Sequence, residues 1–93
     1  MVLKFEWNKS KAKDNFERHG VTFEMAKEVF KDPFAVEFLD DRQDYGEERF
    51  VIFGMVDGEV LYVAYIERDE TIRMISARRA TKDEEENYFK QNQ

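Results

Sequence analysis

The chain has no cysteine, one proline, four glycines and a single histidine in 93 residues. Without cysteine there is no disulfide framework, no thiolate nucleophile and no thiolate metal site. One histidine rules out a zinc site built from clustered imidazoles. No apolar run approaches the roughly 18 residues that a membrane-spanning helix needs. Met1-Val2-Leu3 runs straight into Lys4 and Glu6, so no signal-peptide core is expected at this end, and the expected location is the cytoplasm. Positive charge is also short. The net charge of −6 argues against a uniformly basic surface of the kind that binds nucleic acid without selectivity.

Core material is plentiful by contrast. Hydrophobic residues make up 42% and aromatic residues 15%, with nine phenylalanines, which points to a folded chain rather than a disordered one. The length predicts one domain spanning residues 1–93, large enough for one sheet and a few helices. Charge is unevenly spread. Residues 24–70 carry a net −9, whereas residues 71–82 hold four basic groups and no acid. A basic strip inside an acidic chain marks the place to look for an anionic ligand.

Leu3, Phe5 and Trp7 alternate with Lys4 and Glu6, a short strand with Trp7 in the core. A helix follows, capped by Asn8 or Ser10 and stopped by Gly20, with Ala12, Asn15 and Phe16 as inward residues. Thr22 caps a second helix whose Phe23, Ala26, Val29 and Phe30 recur at helical spacing, and Asp32-Pro33 ends it. The remainder reads as a meander. Phe34 to Leu39, Arg49 to Val56, Val60 to Ile66 and Thr71 to Ala77 are strands, and Asp57-Gly58 is the strongest hairpin signal. In the last strand Ile72, Met74 and Ser76 alternate with Arg73, Ile75 and Ala77. Both central strands are apolar on both faces, so helices are expected over one face and a further element over part of the other. Thr81 opens a final helix with Asp83, Glu84 and Glu85 in its first turn. The predicted order is β-α-α-β-β-β-β-α, an α+β fold with an antiparallel sheet, two N-terminal helices packed on it and a C-terminal helix.

The run from Trp7 to Phe23, with Arg18-His19-Gly20-Val21, resembles the opening of the BrnT family of toxins. The resemblance continues through Phe30-Lys31-Asp32-Pro33, Glu48-Arg49, Tyr65 with Arg68, and Arg73-Met74-Ile75-Ser76-Ala77-Arg78-Arg79-Ala80, and it ends near Glu84 and Tyr88. Asn8 stands where the family commonly has Asp, and Arg18 where it commonly has Lys. The resemblance implies a RelE-like fold and a metal-independent endoribonuclease, without cofactor, that arrests translation. It also implies a cognate antitoxin with a ribbon-helix-helix DNA-binding part, through which alone the toxin reaches operator DNA.

Metal-free RNA cleavage needs a base for the 2′-hydroxyl, cations for the crowded phosphorane and an acid for the leaving oxygen. Arginine suits the second task through its planar fork of donors. The preferred arrangement is a phosphate cradle from Arg78 and Arg49, with Lys11 and His19 reaching over from the first helix. Arg68, Arg73, Arg79 and Tyr65 are assigned to substrate binding. Antiparallel pairing puts Arg68 and Arg73 near one turn and Arg78 toward the other end. Each residue also has a plainer reading: His19 as a helix-end contact, Arg78 as an ion-pair partner for the acids from Asp83 to Glu86, Tyr65 as packing. Asp40, Asp41, Asp44, Glu47 and Glu48 lack the spacing of a calcium loop and read as a solvated acidic segment. Two other functions fit the composition. A non-catalytic toxin could serve only as antitoxin-binding partner and co-repressor, and the acidic stretch could dock a basic partner.

Overall fold

The computed structural model describes residues 3–42 and 46–92. Strand β1 (Lys4–Glu6) leads into helix α1 (Lys9–His19), a short helix α2 (Phe23–Ala26) and a 3-10 turn (Lys27–Lys31). Strands β2 (Val36–Asp40), β3 (Arg49–Val56), β4 (Glu59–Arg68) and β5 (Thr71–Arg79) follow, and helix α3 (Lys82–Gln91) closes the order.

Local chemistry explains the boundaries. Asn8 caps α1 by accepting from the amides of Ser10 and Lys11, and Gly20 ends it in the left-handed region at φ 69°. Asn15 is the inward residue of α1, with Ala12 partly buried beside it; Phe16 faces solvent, contrary to the reading from spacing. Thr22 caps α2, but the helix expected through Phe30 tightens to 3-10 geometry after Ala26. The tightening presses Val29 onto β3 at Gly54, where any Cβ would sit 2.8 Å from Val29 Cβ. Thr81 and Glu84 form a reciprocal capping box on α3. Asp57 and Gly58 both take positive φ, as the tight β3–β4 hairpin requires.

The sheet order is β1-β5-β4-β3-β2. The four sequential strands pair antiparallel, but β1 lies parallel to β5, so the sheet is mixed rather than antiparallel throughout. Turn signals dictate pairing only between consecutive strands. β1 has no hairpin partner and takes the free edge of the last strand, pairing no further than Glu6 with Arg73.

Two apolar layers result. Val21, Phe23, Ala26 and Val29 pack with Ile52, Leu61, Val63, Tyr65, Ile72, Met74 and Ala77 on one side. On the other, Tyr88 of α3 packs with Val51, Phe53, Val60, Tyr62 and Ala64. Among the described residues no helix is long and apolar enough to cross a membrane.

Candidate nucleic-acid interface

The placement of the basic strip is decided by a β-bulge. Ala64 pairs with Ser76 and Tyr65 with Met74, which leaves Ile75 as an extra residue in β5. Strict alternation would put Arg78 on the same face as Met74, under α1. The extra residue reverses the parity beyond it. Ala77 joins Met74 in the α1-side core, Ile75 packs on the α3 side, and Arg78 emerges on the α3 side as well.

Arg78 lies over the ring of Tyr62, with its guanidinium carbon 3.9 Å from the ring centroid. Its two terminal nitrogens donate to Glu84 of α3 at 2.7 and 3.0 Å. That fork-on-fork contact is the geometry a guanidinium also uses for phosphate. The Glu84 hydrogen bond is the main reason the Arg78 guanidinium holds its proton more tightly than usual, and Arg78 in turn lowers the pKa of Glu84. A second guanidinium closes the group. Arg42 donates to the Tyr62 hydroxyl at 3.2 Å and is anchored by Asp40 at 2.8 and 2.9 Å. The Asp40 contact, then Tyr62, raises the Arg42 pKa far above its ordinary value. Tyr62 therefore sits between two arginines, its face under one and its hydroxyl on the other.

Further cations share this side of the sheet. Arg49 alternates with Val51 and Phe53, both in the α3-side layer, and Arg73 lies between the inward Ile72 and Met74. Arg49 and Arg78 thus face the same way. Arg78 pairs with Tyr62, whereas Arg49 lies one residue beyond the Phe50–Tyr65 pair, about four residues or roughly 13 Å away along the sheet. They line one surface rather than one cradle. At the far turn Arg68 pairs with Glu47 at 3.5 Å and Arg73 with Glu6 at 3.2 Å, which separates them from Arg78 as the register predicts.

Lys11 and His19 do not reach this surface. They lie on the α1 side, lining a cleft of about 250 Å³ with Asp14, Asn15, Arg18, Ile75 and Ser76. Arg79 also points to that side, donating to Glu59 and to the carbonyl of His19. Tyr65 is buried against Phe30 and Phe50, and its hydroxyl donates to Glu37. Burial first, then Glu37, pushes the Tyr65 pKa well above its ordinary value. Of the acidic segment, Asp40 and Glu47 are engaged by Arg42 and Arg68, and Asp44 lies outside the described residues. Among the described residues no three His, Asp or Glu side chains cluster in a way that could hold a metal ion.

Arg42 and Tyr62 were not singled out from the sequence. Tyr62 carried a usable signal, being three residues from Tyr65 in one strand and hence on the opposite face. Arg42 sits in a polar loop and carried none.

The fold and this surface define a small α+β protein that gathers arginine side chains on one face of its sheet. A family model described as ribonuclease toxin, BrnT, of type II toxin-antitoxin system matches residues 7–84, and the chain belongs to that family. Comparison with curated proteins gives no match.

Proposed function

We propose that this chain is an endoribonuclease toxin with a RelE-like fold that cleaves RNA without a metal ion, and so blocks translation in the cytoplasm. The observation that carries this reading is the Arg42–Tyr62–Arg78 group on the α3 side of the sheet. Two guanidinium groups supply the positive charge that a phosphorane requires. The Tyr62 hydroxyl between them is the group placed to pass a proton to the leaving 5′-oxygen. Glu84, held on Arg78, is the neighbouring proton acceptor for the 2′-hydroxyl. Arg49 and Arg73, along the same surface, serve flanking phosphates. The family is that of toxin-antitoxin systems. The partner inferred for this chain is an antitoxin with a ribbon-helix-helix part that carries it to operator DNA.

A second reading rests on one specific contact. Both terminal nitrogens of Arg78 are already occupied by Glu84, which suits a chain that binds its antitoxin as co-repressor without cleaving RNA. Expression of the chain alone separates the two. Growth arrest, with RNA cleavage by purified protein that persists in a chelator, supports the nuclease. Soluble folded protein that neither arrests growth nor cleaves RNA supports the non-catalytic partner.

A further inference from the structure

Most of the arginines in this protein are ion-paired internally. Of its seven arginines, Arg42, Arg68, Arg73, Arg78 and Arg79 form ion pairs with Asp40, Glu47, Glu6, Glu84 and Glu59. Arg18 makes no side-chain hydrogen bond or ion pair among the described residues, and neither do Lys11 and His19. These three line the same cleft, facing a single acid, Asp14. In a chain with 21 acidic residues, two cations, Lys11 and Arg18, left without partners beside an imidazole inside a concave site have a ligand-binding character that solvated surface charges lack. The dipole of α1 accounts for basic residues in its last turn, at Arg18 and His19. It does not account for Lys11, two turns earlier on the same face.

The opposite wall of the cleft is an open strand edge. β1 stops pairing at Arg73, so among the described residues β5 has no strand neighbour on that side from Met74 onward. Asn15 takes the place of a strand residue only at Ala77, accepting from its amide at 3.0 Å and donating to its carbonyl at 2.9 Å. The hydroxyl of Ser76 has no hydrogen-bond partner among the described residues. Ser76 lies at the edge of β5, two residues before Arg78, whose side chain points to the face of the sheet opposite α1. A flexible polyanion held at Arg78 therefore needs only to turn around the β5 edge to enter the cleft.

We propose that the cleft between α1 and the open edge of β5 is a second subsite for single-stranded RNA, in which Lys11, Arg18 and His19 hold backbone phosphates next to the one bound at Arg78. The proposal rests on the reading of the Arg78 surface as the cleavage site. Cationic grooves that track the backbone are the general means of binding single strands without reading sequence.

The test uses the full chain and 2′-O-methyl RNA, which resists cleavage, in lengths of about three and about ten nucleotides. Binding is followed by fluorescence anisotropy across a salt series. The Lys11→Glu/Arg18→Glu double variant is expected to weaken the longer RNA by about tenfold or more and to lower its salt dependence by about two charges. Its affinity for the shorter RNA stays within about twofold, because that RNA is held at Arg78 alone. A Lys9→Glu/Lys13→Glu variant makes the same charge change on α1 outside the cleft, and it leaves the longer RNA close to wild type. Unchanged binding of the longer RNA by the first variant overturns the proposal. So does equal weakening by both variants, which would signify only a change of overall field. Loss of binding to an oligoglutamate peptide with RNA binding intact also overturns it and makes the cleft a dock for an acidic protein segment. Arg78→Ala loses both RNA lengths if the Arg78 surface is the cleavage site. Retention of both by that variant removes the cleavage-site reading and leaves the result for the cleft variants to stand by itself.

Discussion

The guanidinium of Arg78 and the ring of Tyr62 are in face contact at 3.9 Å, and this contact exists because one extra residue, Ile75, turns the end of β5 over. Tyr62 has its hydroxyl held by Arg42 while its ring lies under Arg78. Tyr62→Phe keeps the ring and removes the hydroxyl. RNA cleavage should fall by about a hundredfold or more, the range for loss of a proton-transfer group, with urea stability changed by less than about 1 kcal/mol. Tyr65→Phe, on the other face, should do the reverse, lowering stability by about 1 kcal/mol through loss of the Glu37 contact and leaving cleavage within a few-fold. Cleavage assays and urea curves on the two variants check this together.

Asn15 ties α1 to the sheet through one side-chain amide. It donates to the carbonyls of Val21 and Ala77 at 2.9 Å each and accepts from the Ala77 amide at 3.0 Å. Asn15→Ala leaves these buried groups without partners, at a cost of roughly 3 kcal/mol. Asn15→Asp keeps the acceptor but puts a charge against two carbonyls, and should cost at least as much. Equilibrium urea unfolding measures both.

Gly54 is needed for close approach rather than for backbone freedom. A Cβ there meets Val29 at 2.8 Å, and the Val29 carbonyl lies at 2.9 Å, so backbone as well as side chain would have to yield. Gly54→Ala should destabilise by about 2 kcal/mol, in the range for overpacking. Combining it with Val29→Ala should recover less than half of that, because the carbonyl contact remains. A double-mutant cycle in urea gives the answer.

Docking of α3 is pH-sensitive in a defined window. Its links are Glu84 with Arg78 and Tyr88 with Asp32. Arg78 lowers the Glu84 pKa from an ordinary 4.5. Burial opposes ionisation of Asp32, but the hydrogen bonds from Tyr88, Met55 and Phe34 outweigh it and lower its pKa from 3.8. Both contributions are complete above those ordinary values and are lost as pH falls through the lowered ones. Burial, then Asp32, raises Tyr88 from 10.0 to about 12, so its contribution is complete below 10 and is lost as pH rises through about 12. Amide hydrogen exchange in α3 should therefore be slow and flat between about pH 5 and 9, after correction for intrinsic rates. Loosening should begin in α3 before the strands when pH drops below 4.5, the ordinary Glu84 value. Simultaneous loosening of α3 and the strands at acid pH would contradict this.

Much of the architecture was readable from local signals. Asn8, Gly20, Thr22 and Thr81 mark helix ends by their own hydrogen-bonding chemistry, and Asp57-Gly58 marks the hairpin. The parallel pairing of β1 was not readable, because no turn joins it to β5, which lies four strands on in the chain. The bulge at Ile75 was likewise hidden. It carries no glycine, and its effect is a change of parity that moves Arg78 away from Lys11 and His19. The basic strip at residues 73–79 was visible as composition, while its division between two faces was a property of the folded sheet.

On the reading proposed above, RNA cleavage takes place on the α3 side of the sheet. The direct test measures cleavage of a defined RNA by purified Arg78→Ala and His19→Ala at matched, folded concentration. Arg78→Ala should lose about a hundredfold or more in rate at saturating RNA, while His19→Ala should keep a rate within a few-fold and lose only affinity for longer RNA. Full activity in Arg78→Ala, or collapse of the saturated rate in His19→Ala, would contradict it and move the chemistry to the α1 side.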